Sequence, residues 1–182
     1  MKQIQYISRS ALFLTLMILS AYMQISLPTP FWMMHITMQL FISILCGFCL
    51  PLSYTFLTMS TYILLGLIGF PVFASGGGFY YLMKPTFGFV LGFLICACVC
   101  SYQKKKNNPH KESDYFRIGL LGLFFFYFIG NLYYYFGFSI FIQTPIPLWL
   151  SLVNGFVVSI LPDVLICWLA CHVAKKLQIF FQ

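Results

Sequence analysis

The sequence predicts an all-α membrane protein, a bundle of six transmembrane helices with both termini cytoplasmic, and three observations lead there. Hydrophobic residues make up 61% of the chain and charged ones only 7%, with a mean hydropathy of +0.91, whereas charged residues are about a quarter of a soluble domain. The apolar stretches are interrupted by Pro, Gly or charge at intervals close to the about 20 residues a spanning helix needs. Ten Lys and Arg face three acids, a formal net charge of +7, and much of that charge sits in short clusters between the apolar runs. Such spacing serves orientation in a bilayer and is a poor fit to nucleic-acid binding. Few titratable side chains remain outside the clusters, which weighs against an enzyme.

Cutting the chain at the interruptions places spans at residues 10–27, 35–50, 52–70, 85–102, 115–138 and 147–174. The first follows Lys2 and Arg9 and ends before Pro28. The second, the shortest, ends before Pro51, and the third runs from there to Phe70, before Pro71. The fourth starts at Pro85 and runs toward Lys104, Lys105 and Lys106. The fifth is apolar without alternation from Leu120 to Ile129, where a spanning β-strand would alternate polar and apolar residues. The sixth ends at Lys175 and Lys176. No soluble domain fits between them, so residues 1–182 read as one transmembrane domain.

The charges agree with that count. With the N-terminus inside, Lys2, Arg9, Lys104, Lys105, Lys106, Lys111, Arg117, Lys175 and Lys176 all fall on the cytoplasmic side, where short loops carry an excess of Lys and Arg. Lys84 alone falls outside. A secretory signal reading of the first span is weak, because no small-x-small cleavage pattern precedes Pro28.

The seven cysteines lie toward the cytoplasmic ends of their spans, where thiols stay reduced. Cys46 and Cys49 have a CxxC spacing, yet one such pair is a weak metal signal, and small polarizable packing residues suffice as an explanation. Met33, Met34, His35 and Met38 offer soft ligands near the outer face, which keeps a soft-metal permease as an alternative, alongside a permease for another small solute and a scaffold with no solute. No cofactor is expected.

Asp163 is the only acid inside the apolar segments, and an ionisable group at membrane depth is a functional-site hypothesis by default. It precedes Lys175 by twelve residues, roughly 18 Å of helix, which places it in the outer half of the bilayer. Pro162 before it is expected to kink the span. Thr37 and Gln39 at the start of the second span, Lys84 and Thr86 at the start of the fourth, and Tyr127 and Asn131 in the fifth fall at similar depth. Together with walls from Trp32, Phe79 and Tyr80 they describe an outward-opening cavity for a small amphipathic solute. Taken singly, Thr37, Thr86 and Tyr127 could equally make interhelical hydrogen bonds, and Lys84 could snorkel to the interface.

Between the third and fourth spans runs Phe70-Pro-Val-Phe-Ala-Ser-Gly-Gly-Gly-Phe-Tyr-Tyr-Leu-Met-Lys-Pro-Thr-Phe-Gly-Phe89. Its glycines, Gly77 and Gly78 among them, permit close approach to a ligand, so the loop reads either as a lid or as a flexible surface turn. The stretch resembles the signature of the BioY family, the biotin-specific S components of energy-coupling-factor (ECF) vitamin transporters, in which a G-x-P-V-F-A segment, a Gly-rich loop and a G-P-T-G-G-Y-like turn stand in this order. Gln24 to Pro28 and Ile36 to Gln39 are similar to that family's Q-I-x-x-P and I-T-L-Q elements. Tyr127 and Gly130 are similar to its fifth-span Tyr and Gly, and Gly155 and Asp163 to a Gly and an Asp of its sixth span. Leu161 and Pro162 depart from the Pro-Gly expected there. Ile166 replaces a Lys one turn after the acid, and Lys84 stands where Gly is usual.

The resemblance implies membrane uptake of biotin, and the residues can be matched to that solute. Asp163 would accept the ureido N–H pair, while Asn131 or Tyr127 donates to the ureido oxygen. Trp32, Phe79 and Tyr80 would pack on the rings and valeryl chain, and Lys84 would supply the missing positive charge to the carboxylate. The chain has no Gly-x-x-x-x-Gly-Lys-Ser/Thr phosphate loop. The resemblance therefore also implies two cytoplasmic ATPases and a membrane coupling subunit as partners. Ala11 and Thr15, small residues one turn apart on the first span, look like the face that meets the coupling subunit, although such spacing also serves packing within one protein.

Overall fold

The computed structural model describes residues 2–28, 33–141, 147 and 159–181. Among them the order is α1 (Lys2–Tyr22), β1 (Gln24–Pro28), β2 (Met33–Thr37), α2 (Gln39–Cys49), α3 (Leu52–Ile68), a 3-10 turn (Phe79–Met83), α4 (Phe87–Asn107), α5 (Glu112–Ile140) and α6 (Ile160–Phe181). Trp32 and Gly155 lie outside the described residues. Among the described residues three helices are long and apolar enough to cross a membrane: residues Gln3–Tyr22 of α1, α4 and α5. At 11 residues, α2 is about 16 Å long, well short of the roughly 30 Å hydrocarbon core.

The expected second span is thus partly a hairpin. β1 and β2 pair antiparallel, with Gln24 opposite Thr37 and Ser26 opposite His35, so His35, Ile36 and Thr37 belong to a strand and the helix starts at Gln39. The physical reason is visible in the residues: Gln24-Ile-Ser-Leu and Met34-His-Ile-Thr alternate polar and apolar side chains, the period of a strand. Pro162 is also placed differently from the expected kink. It stands third in α6, in the first turn, whose N–H groups have no intrahelical partner for the ring to remove.

The odd-numbered helices run one way and the even-numbered ones the other. At one end Tyr6 of α1 packs on Tyr54 of α3. There the Lys104 Nζ donates to the Phe48 carbonyl at 2.5 Å, and His172 pairs with Glu112 at 2.8 Å. That end carries the basic clusters. At the other end Tyr22 reaches Pro71 and Tyr133 reaches Leu82, so the loop between α3 and α4 caps it.

In the core, α5 packs between α4 and α6 through glycines. A Cβ at Gly119 would meet the thiols of Cys171 and Cys167, and one at Gly122 the thiols of Cys100 and Cys96. All four of those cysteines are fully buried free thiols, small enough to let three helices approach closely.

Candidate functional site

The polar group that costs most to bury is the Asp163 carboxyl, and it is 6% exposed at the start of α6. It is satisfied from α5, where the Tyr127 hydroxyl donates to Asp163 Oδ2 at 2.5 Å. Asn131, one turn further along the same face, donates its Nδ2 to the Tyr127 carbonyl at 2.9 Å. That bond fixes the orientation of the amide. Asn131 Oδ1 then lies buried with no hydrogen-bond partner among the described residues, an acceptor aimed into the bundle and costly to leave unmade. Side-to-side packing of α5 and α6 thus brings Tyr127 onto Asp163, with Asn131 one turn away on α5.

The loop lies close by. Tyr133, six residues beyond Tyr127 and so about 9 Å further along the helix, donates to the Leu82 carbonyl at 2.5 Å. Further bonds pin the same loop: Tyr22 to the Pro71 carbonyl at 2.5 Å, Gln24 to that of Ala74 at 3.2 Å and Tyr62 to that of Val72 at 2.9 Å. The flexible-turn reading is therefore set aside. Each of the three glycines has a structural reason. Gly76 and Gly78 adopt positive φ, 106° and 105°, where a side chain is strained. The N–H of Gly78 donates to the Gly66 carbonyl at 2.7 Å, and a Cβ at Gly77 would run into the carbonyls of Phe70 and Gly66. Gly77 is thus glycine because the backbone passes close to the end of α3, and its two neighbours because of their positive φ.

Thr37 and Gln39 are buried but occupied. The Thr37 hydroxyl donates to Gln39 Oε1 at 3.1 Å, Gln39 Nε2 donates to the Tyr62 hydroxyl at 2.5 Å, and Tyr62 donates onward to Val72. They form a relay that ties hairpin, α2 and α3 to the loop. Lys84 Nζ donates to the Ser75 carbonyl at 3.2 Å and lies 4.7 Å from the centre of the Tyr81 ring, a cation–π contact inside the loop.

Among the loop aromatics the inward ring differs from the expected ones. Tyr80 is 73% exposed and Phe79 74%, whereas Tyr81 is 4% exposed and packs on Phe73 and Phe87. Burial pushes the Tyr81 phenol above its ordinary pKa, against the opposing influence of nearby Ser75 and of Thr86, the residue before α4. Sequence reasoning missed Tyr62, Tyr81 and Tyr133. The available signal was that a tyrosine within an apolar bundle needs a partner for its hydroxyl.

On α1 the inward face is Phe13, Met17 and Ala21, while Ala11 and Thr15 are exposed. The Thr15 hydroxyl donates to the Ala11 carbonyl at 3.0 Å, so this small face is polar-satisfied and turned away from the bundle. No group of three or more His, Cys, Asp or Glu side chains suited to a metal occurs among the described residues. Met33, Met34 and His35 are placed on β2.

Compared with known proteins, the chain matches the family described as BioY family over residues 1–182. The chain belongs to the BioY family. A probable biotin transporter BioY of Lysinibacillus sphaericus is 29% identical over 173 residues, 94% of this chain and 86% of that protein. The biotin transporter BioY of Thermotoga maritima is 34% identical over 124 residues, covering 67% and 69% of the two chains. The fold is similar to that of a crystal structure at 2.1 Å of the S component for biotin from an ECF-type ABC transporter, with a TM-score of 0.84 and 21% identity over 100% of this chain and 97% of that one. BioY is a transporter family rather than an enzyme family.

Proposed function

We propose that this chain is the biotin-binding S component of an ECF transporter, a multi-pass protein of the cytoplasmic membrane, with both termini inside and residues 1–182 acting as one transmembrane domain. The observation that carries the reading is a pair of buried acceptors, Asp163 held by Tyr127 and the unpartnered Asn131 Oδ1 one turn along α5 from that tyrosine. A cyclic urea presents one N–H donor on each side of its carbonyl, and two buried acceptors on neighbouring helices suit those two diverging donors. Because the Tyr127 proton is already given to Asp163, the ureido oxygen falls to the remaining N–H of Asn131.

Family membership, the biotin transporters among the relatives and the shared S-component fold support the same solute. The pocket faces outward in this reading, since the clustered Lys and Arg mark the opposite end as cytoplasmic. Lys84 supplies the charge for the biotin carboxylate, replacing the Lys that Ile166 displaces, and it must leave the Ser75 carbonyl to do so. Gln39, Thr37 and Thr86 line the site or brace it, and Gly77 and Gly78 let the loop backbone approach the ligand. Tyr80 covers its mouth, and Trp32 is kept as a candidate ring contact for the solute. Ala11 and Thr15, exposed on α1, meet the membrane coupling subunit that works with two cytoplasmic ATPases.

The deciding experiment is retention of radiolabelled biotin by the purified protein in detergent. Nanomolar retention is expected, lost with Asp163→Ala while the protein remains folded. Absence of retention by the unaltered protein would sink the assignment.

A further inference from the structure

The end of the bundle away from the loop carries charge that the proposed solute site does not use. Lys105, Lys106, Lys111, Lys175 and Lys176 are all exposed there. The two acids at that end, Glu112 and Asp114, are already engaged. Glu112 Oε1 pairs with His172 Nδ1 at 2.8 Å, and Asp114 Oδ2 accepts the backbone N–H of Lys111 at 3.2 Å. Lys104 is likewise spent on the Phe48 carbonyl. Lys175 and Lys176 lie within electrostatic reach of Glu112, yet neither forms an ion pair among the described residues.

What borders this charge identifies what it meets. Leu165, Trp168, Leu169, His172, Lys175 and Lys176 follow the spacing i, i+3, i+4, i+7, i+10, i+11 and so form one stripe of α6. Leu165, Trp168 and Leu169 are exposed at 67%, 50% and 44%, and the Trp168 ring stacks on His172 with centroids 6.0 Å apart and planes at 27°. The stripe passes from bare hydrocarbon through an amphipathic aromatic to two cations within about 16 Å of helix. An acidic protein surface would complement only its last turn. An amphiphile with alkyl chains and an anionic head complements all of it, and cations just beyond a membrane helix attract anionic headgroups.

We propose that this outer stripe of α6 binds an anionic phospholipid, its phosphate at Lys175 and Lys176 and its acyl chains along Leu165, Trp168 and Leu169. The inference is independent of which solute the bundle carries.

Native mass spectrometry of the full chain tests it, with phosphatidylglycerol and phosphatidylcholine supplied at equal mole fraction. The unaltered protein is expected to retain at least about fivefold more phosphatidylglycerol. Lys175→Gln with Lys176→Gln should bring the two lipids to parity, whereas Lys105→Gln with Lys106→Gln, the same charge change elsewhere, should keep most of the preference. Parity in the unaltered protein would overturn the proposal, including in favour of an acidic protein partner. Equal losses in both double variants would overturn it in favour of diffuse charge. Should the Lys175/Lys176 variant fail to fold, fluorescence of Trp168 decides with Trp32 and Trp149 replaced by Phe. Acyl-brominated phosphatidylglycerol must then quench it more than the brominated phosphatidylcholine does, and equal quenching overturns the assignment.

Discussion

The Tyr127 hydroxyl donates to Asp163 Oδ2 at 2.5 Å, joining α5 to α6 between two residues that are 4% and 6% exposed. A carboxyl so buried would be costly without a donor, and this tyrosine supplies one to Oδ2. The bond therefore both stabilises the bundle and aims an acceptor.

Tyr127→Phe should accordingly weaken biotin binding through Asp163 without removing any direct ligand contact. Loss of one such donor to a buried charged acceptor corresponds to about 1.5–3 kcal/mol, or roughly 10- to 100-fold in Kd. Equilibrium binding in detergent measures it, and an unchanged Kd would show that Tyr127 does not set the site.

Lys84→Met separates two roles for the ammonium. If Lys84 meets the solute carboxylate, biotin affinity falls by at least tenfold, about 1.4 kcal/mol, while affinity for biotin methyl ester is barely altered. Equal losses for both ligands would mean that the lysine acts only through its present contacts with Ser75 and Tyr81.

Gly66 lies against the outer end of the Phe73 ring, which an added Cβ would overlap. Gly66→Ala should lower the thermal midpoint in detergent, with overpacking of about 1–3 kcal/mol. Phe73→Leu in the same chain should recover part of that loss, since the two sites share one contact. Additive losses would contradict the packing seen here.

Tyr62→Phe breaks the relay from Gln39 to the Val72 carbonyl and leaves two buried groups unsatisfied, at about 1–3 kcal/mol each at most. Amide hydrogen exchange should quicken in the loop from Val72 to Gly78 while α4 and α5 are unaffected. Unchanged protection of the loop would show that its other anchors suffice.

Much of the candidate site was legible in the chain because its chemistry is scarce. One acid among apolar runs stands out at Asp163, and Tyr127 and Asn131 fall one turn apart on a single helix. Residues that brace the site were harder to read. Phe79, Tyr80 and Tyr81 are three consecutive aromatics, and only the 3-10 turn decides that Tyr81 points inward. The hairpin was hidden for a similar reason: five-residue strands are too short to outweigh the apolar helices on either side. Gly66 carries no signal at all until Phe73, seven residues away around a turn, is laid over it.

Composition and the spacing of apolar runs by themselves pointed to a helical membrane protein, and the motifs of the glycine-rich segment to a resemblance with the BioY family, because those features depend only on residue type and distance along the chain. Tertiary structure alone decided which oxygen accepts from Tyr127, which tyrosines hold the loop, and that Ala11 and Thr15 face outward. Those outcomes depend on how helices rotate and approach, and rotation is set by the packing of glycines against thiols and rings from distant parts of the sequence.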